Sequence, residues 1–138
     1  MISIIYGGIT HHYLNSSLPY CNKINNIGTI HNEYVIAMAG NDSAKIGILS
    51  GKDSACGNIL GPVASFRITE SADFMLGGYN TNFEKFNELG MEPVNIAGFT
   101  PVIGVNLKVN LYDSKLYKIN LDNLFSLGII THGVSVNF

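Results

Sequence analysis

Apolar and polar residues alternate over long stretches of this chain, most clearly where Val105, Leu107, Val109 and Leu111 interleave with Asn106, Lys108, Asn110 and Tyr112. A period of two marks a strand with one apolar face, because successive side chains leave a pleated backbone on opposite sides. The last segment repeats the pattern, with Ile130, His132, Val134, Val136 and Phe138 on one side and Thr131, Gly133, Ser135 and Asn137 on the other. The same reading predicts further strands over residues 2–6, 29–39, 44–49, 63–69, 72–76 and 115–121. Turn-forming residues bound many of them, including Gly40-Asn-Asp42, Ser50-Gly-Lys-Asp53 and Gly77-Gly-Tyr-Asn80. Only residues 81–89 read as a helix, capped by Thr81, with Glu84 three positions on and Gly90 as the stop. The expected fold is therefore all-β with at most one short helix, an antiparallel β-sheet sandwich or a small barrel-like subunit.

Length and composition narrow the class. The 138 residues fit one domain, 1–138. A chain that is 46% hydrophobic and 13% charged is not disordered, and it has enough apolar surface to bury a face against a partner subunit. A net charge of −2 with eight Lys and Arg leaves no basic stripe for a nucleic-acid backbone, so no nucleic-acid partner is expected. No apolar run reaches the ~18–20 residues of a transmembrane helix. The opening Met1-Ile-Ser-Ile-Ile-Tyr-Gly-Gly8 lacks a positive region and meets glycine after six residues, so it does not read as a leader, and a cytoplasmic protein is expected.

Candidate chemistry is sparse. Cys21 and Cys56 are too few and too far apart for a zinc site and read as ordinary thiols. Walker, GxGxxG, GxSxG and HExxH motifs are absent, which removes support for nucleotide hydrolases and dehydrogenases. His11, His12 and His31 have no neighbouring carboxylate, and adjacent strand residues point apart, so no metal site is expected. His132 falls on the apolar side of the last strand, where a hydrogen-bonded core histidine is the ordinary reading. Glu33 and Glu70 sit within or at the end of predicted strands, where a carboxylate either faces solvent or pairs with a cation. Tyr20, Phe66, Phe74 and Tyr79 are aromatic candidates for stacking on a base, or for packing with strand neighbours. The Asn- and Ser-rich stretch 15–26 is the longest expected loop and a natural place for binding residues.

The order His11-His-Tyr13, Tyr20-Cys-Asn-Lys-Ile-Asn-Asn-Ile-Gly28, Ala39-Gly-Asn-Asp-Ser43, Gly61-Pro62, Gly77-Gly-Tyr79, Pro101 and Gly104-Val-Asn106 resembles the phage-type S-adenosylmethionine lyases and the related lyases acting on its adenylylated form, SAM-AMP, in type III CRISPR antiviral defence. The chain departs from that pattern at Cys21, inside the Tyr-Asn-x-x-Asn run, and at Gly40, where an aromatic precedes the Asn-Ser pair. The resemblance implies a homotrimer with active sites between subunits and no cofactor. It also implies a carbon–sulfur lyase in which the substrate carboxylate displaces the sulfonium to give homoserine lactone and methylthioadenosine, or its adenylylated form, by positioning alone. In that scheme Glu70 or Glu33 holds the substrate ammonium, Asn25, Asn26, Asn41 and Ser43 bond its polar groups, and Tyr20, Phe66 or Tyr79 packs on adenine, while Lys23, Lys45, Lys52 or Arg67 offers charge to a second nucleotide. Two other classes fit the same residues. One is a non-catalytic ligand-binding or phage structural module. The other is a small outer-membrane β-barrel, which the alternating strands and a C-terminal Phe138 support and which the opening residues, not reading as a leader, and the lack of Trp for an aromatic girdle oppose.

Overall fold

In the computed structural model, which describes residues 1–11, 30–53, 57–80, 96–126 and 129–138, every long alternating segment becomes a strand of one closed antiparallel barrel. The strands are β1 (Ile2–His11), β2 (Ile30–Gly40), β3 (Ala44–Asp53), β4 (Gly57–Thr69), β5 (Ala72–Asn80), β6 (Phe99–Asp113), β7 (Lys118–Ser126) and β8 (Ile129–Asn137). Each pairs with its sequence neighbours, and β1 closes the cylinder on β8. The seam is tied by reciprocal backbone bonds between Ile2 and Phe138, 3.1 and 2.8 Å, and by Ser3 Oγ donating to Asn137 Oδ1 at 2.6 Å. Extending the registers once around the sheet returns to β1 about ten residues further along, which for eight strands means a tilt of about 40°.

Three short turns gather at one end, residues 41–43, 70–71 and 114–117, and each is built by a side chain. Asn41 Oδ1 accepts from the amides of Ser43 and Ala44 at 2.8 and 3.0 Å. Thr69 Oγ1 accepts from Ser71 N, and Ser114 Oγ accepts from the amides of Leu116 and Tyr117. These local bonds satisfy donors that the ladder leaves over and set the hairpin geometry. The connections at the other end span residues 12–29, 54–56, 81–98 and 127–128. The predicted helix at 81–89, the loop 15–26 and both cysteines lie outside the described residues.

Two expected turns are strand instead. Residues 50–53 continue β3 and residues 77–80 continue β5. The glycines that suggested turns serve a different need: a Cβ on Gly51 or Gly77 would run into the backbone of the adjacent strand. In a barrel this narrow, some positions lack room for a side chain.

The alternation also faces the opposite way from a soluble barrel. Ser3, Ser65, Asp73, Thr100, Asn106, Asn120, Asp122, Ser126, Thr131 and Ser135 are buried inside, together with an apolar set of similar size, Ile5, Tyr34, Ile36, Met38, Leu49, Ile59, Val63, Met75, Tyr79, Val102 and Leu124. Ile46, Ile48, Leu60, Ile68, Val109 and Leu111 stand on the outer surface, with Ile46 72% exposed. The core histidine expected at 132 is accordingly corrected: His132 is half-buried on the outer face, its Nδ1 2.6 Å from Asn123 Oδ1.

One interior contact spans three strands. Tyr34 on β2 lies across Gly7 on β1, and its hydroxyl pairs with Thr131 Oγ1 on β8 at 2.8 Å, in the interior. A Cβ at position 7 would fall inside the Tyr34 ring. Burial holds the seam together here only because Gly7 is bare. Gly7→Val should lower unfolding stability by roughly 2 kcal/mol, measured by denaturant titration with far-UV circular dichroism. In the Tyr34→Ala background the same change should cost much less, and strictly additive losses would show that the two positions do not meet.

Candidate functional site

Two surfaces of the barrel carry its chemistry: the outer wall and the mouth at the short-turn end. The wall is apolar on every strand. Moving round it, the outward positions include Ile2, Ile4 and Tyr6 on β1, Val35, Ala37 and Ala39 on β2, and Ile46 and Ile48 on β3. Leu60, Phe66 and Ile68 follow on β4, Phe74 and Leu76 on β5, then Ile103, Leu107, Val109 and Leu111 on β6, Leu121 and Phe125 on β7, and Val134 and Val136 on β8. Among the described residues the band is edged by polar groups at both ends. Glu33 and Lys52, cross-strand partners on β2 and β3, stand at the upper rim with Asn58 and Asn80. Asp42, Ser43, Glu70, Ser71, Asp113 and Lys115 ring the lower one. Within the band, polar side chains among the described residues include Ser50, between Val35 and Leu60, and the hydrogen-bonded Asn123–His132 pair. At the lower edge Tyr112, Tyr117 and Phe138 form an aromatic row, with ring centroids 5.6 and 6.5 Å apart. A bulge between Asn110 and Tyr112 turns Tyr112 outward into that row.

The lumen is filled rather than open. Asn106 Nδ2 donates to Asp122 Oδ1 at 2.6 Å, Asn120 Nδ2 to Ser135 Oγ at 3.4 Å, and Ser126 Oγ to the Ile103 carbonyl at 3.1 Å. Lys108 Nζ lies 2.9 Å from one Asp73 oxygen and 3.0 Å from the other, an ion pair largely withdrawn from solvent. Asn106 Oδ1 and Asp122 Oδ2 are buried without a hydrogen-bond partner.

Below this plug the lumen widens into a vestibule of about 500 Å³ that opens between the three short turns. Lys45, Lys108, Asn120 and Asn137 line its depth, and Asp42, Arg67, Glu70 and Lys115 its mouth. A volume of this size is in the small-molecule range of ~300–1,000 Å³. At the rim the Asp113 carboxylate, 2.9 Å from Lys118, raises the pKa of that exposed ammonium, first by hydrogen bonding and then by charge.

The residues expected to form a lyase site are dispersed. Glu70 reaches the vestibule mouth, whereas Glu33 is on the outer surface at the opposite rim. Asn41 and Ser43 build the β2–β3 turn, Phe66 faces outward, and Tyr79 is buried inside the upper half of β5. Tyr20, Asn25 and Asn26 lie outside the described residues. Of the four cations weighed for a second nucleotide, Lys45 and Arg67 share the vestibule, Lys52 stands at the far rim, and Lys23 is outside the described residues. No group of three or more His, Cys, Asp or Glu side chains converges as a metal site among the described residues. Lys108 and Asp73, the interior ion pair, were not apparent as partners from sequence, since they meet only through the register of β5 on β6.

No protein-family model matches the chain, and comparison with curated proteins and with solved structures gives no significant match.

The two orphaned acceptors make a prediction. Asp122→Asn puts an amide donor beside Asn106 and removes a buried carboxylate, so stability should stay within about 1 kcal/mol of the parent or rise. Asp122→Leu leaves the Asn106 amide without its partner and should cost about 1–3 kcal/mol. Thermal melts of the two variants side by side decide it, and an equal loss in both would mean that the carboxylate charge itself holds the plug.

Proposed function

We propose that this chain is an integral membrane β-barrel of the narrow, filled kind, held in a bilayer by its outer wall and closed to free diffusion by its interior. The observation that carries this reading is the apolar band running round all eight strands, while the charged side chains of the strands lie inside or at the rims and polar and apolar groups share the interior. A subunit contact in a trimer covers one sector of a cylinder, leaving the remainder in water. Hydrocarbon covers the whole circumference. Exposed apolar patches on soluble monomers rarely exceed a few hundred Å², and this one is a continuous belt.

The dimensions agree. Outward apolar positions on β6 run from Phe99 to Leu111, about 40 Å along the strand and about 30 Å along the axis at the tilt given above. Membrane barrels of this class carry a band of about 25 Å edged by aromatic residues, and the Tyr112–Tyr117–Phe138 row occupies such an edge. The connections at the short-turn end are all of two to four residues, whereas two of the four at the other end, 12–29 and 81–98, are long, in keeping with the same architecture. A closed sheet also leaves no strand edge to be satisfied in lipid. No helix among the described residues is long and apolar enough to cross a membrane.

The lyase reading stands second, supported by the gathering of Glu70, Lys45 and Arg67 at one cavity. It would place an S-adenosyl compound in the vestibule rather than between subunits. Loss of S-adenosylmethionine or SAM-AMP on incubation with folded protein, followed by mass detection, tests it directly.

Ile48→Arg distinguishes membrane from water. Ile48 is 58% exposed near the middle of the band. Arginine there should cost ~2–4 kcal/mol of folding into lipid vesicles and cut the folded fraction at intermediate urea. In a water-soluble protein the same exposed substitution should fall within ±0.5 kcal/mol. Full folding and solubility of the parent without any amphiphile would reject the membrane reading.

A further inference from the structure

We infer that the floor of the short-turn vestibule is a binding site for a small molecule bearing an oxyanion, either phosphate or carboxylate, with Lys45 as its principal contact. The inference does not rest on the membrane reading, since the cavity is the same in either setting.

Lys45 projects inward from β3, half-buried, and crosses the lumen towards β8. Among the described residues its hydrogen bond is a long one, 3.5 Å to Asn137 Oδ1, and no carboxylate comes within ion-pair distance of it. Asp73, the nearest interior anion in this crevice, is already engaged by Lys108 through both oxygens. Arg67 lines the same crevice and also forms no ion pair among the described residues. Lys45, Lys108 and Arg67 thus share the crevice with two carboxylates, Asp73, which Lys108 neutralises, and Asp42 nearer the mouth, beside a cavity large enough for a metabolite.

A half-buried ammonium without a counterion is poorly solvated and gains from an anion that can reach it. The mouth such an anion must pass carries both signs, Asp42, Glu70 and Asp113 against Arg67, Lys115 and Lys118, so it admits an anion and suits a ligand that also carries a positive group. An oxyanion seated on Lys45 would have Asn137 and Asn120 amides nearby as neutral donors.

Two substitutions with opposite expected effects test this. Inorganic phosphate is titrated into the folded full-length protein by isothermal calorimetry at fixed ionic strength, with chloride as the blank and acetate as the carboxylate arm. The parent should bind one equivalent saturably. Lys45→Met should weaken binding at least tenfold, and Asp73→Asn, which frees Lys108, should tighten it several-fold. Acetate binding as well as phosphate would assign the ligand group to a carboxylate within the same proposal. Should the Lys45→Met protein fail to fold, the Asp73→Asn arm still decides: unchanged affinity there, or no saturable binding by the parent, overturns the site.

Discussion

Closure of the sheet on itself is the constraint from which the other features follow. Pairing β1 with β8 gives every interior strand two neighbours and removes both edges, so backbone donors and acceptors are satisfied within the sheet wherever the ladder runs. Eight strands with this stagger make a cylinder only wide enough for side chains to meet across it. The narrow bore then dictates composition: Gly7 must be bare for the Tyr34 ring to lie over it, and large polar side chains must find one another because water has little room. The Lys108–Asp73 pair and the Asn106–Asp122 contact are what a polar interior without bulk water demands.

Placing the polar residues inside frees the outside to be apolar, an arrangement that is costly in water and favourable in hydrocarbon. Hydrogen-bonded strands surrounded by Ile, Leu, Val and Phe would present lipid with few polar groups, Ser50 and the Asn123–His132 pair, whose polar atoms meet each other. The charge distribution fits the same geometry. Charged side chains described in the strands are either inside, as Lys45, Asp73, Lys108 and Asp122 are, or at the two rims, as Glu33, Lys52, Arg67, Asp113 and Lys118 are.

Much of the fold was legible in the sequence. Period-two alternation located all eight strands, although β1, β3, β4, β5, β6 and β7 run several residues further than the pattern suggested, in β3 and β5 because residues 50–53 and 77–80 were read as turns. The direction of the pattern was not legible. Val105, Leu107 and Val109 alternate with polar neighbours identically whether the apolar side faces inward or outward, and only the assembled cylinder shows that it faces outward. The site was harder still. Asn41 and Ser43 looked like ligand contacts because the side chains that bond a ligand are the same ones that fold an Asx turn. Lys45, Arg67 and Lys108 come together through strand register over more than sixty residues, which no local motif records.

The seam joins residues 134 positions apart, as the Ser3–Asn137 bond illustrates. All other strand pairs are hairpins between sequence neighbours and can form locally, whereas this one must wait for the whole chain. Until it does, β1 and β8 are both raw edges with apolar faces, the form of the chain most apt to pair with other copies. Assembly is therefore a race between ring closure and aggregation, and the cellular environment that shelters the chain before closure matters as much as the stability of the finished cylinder.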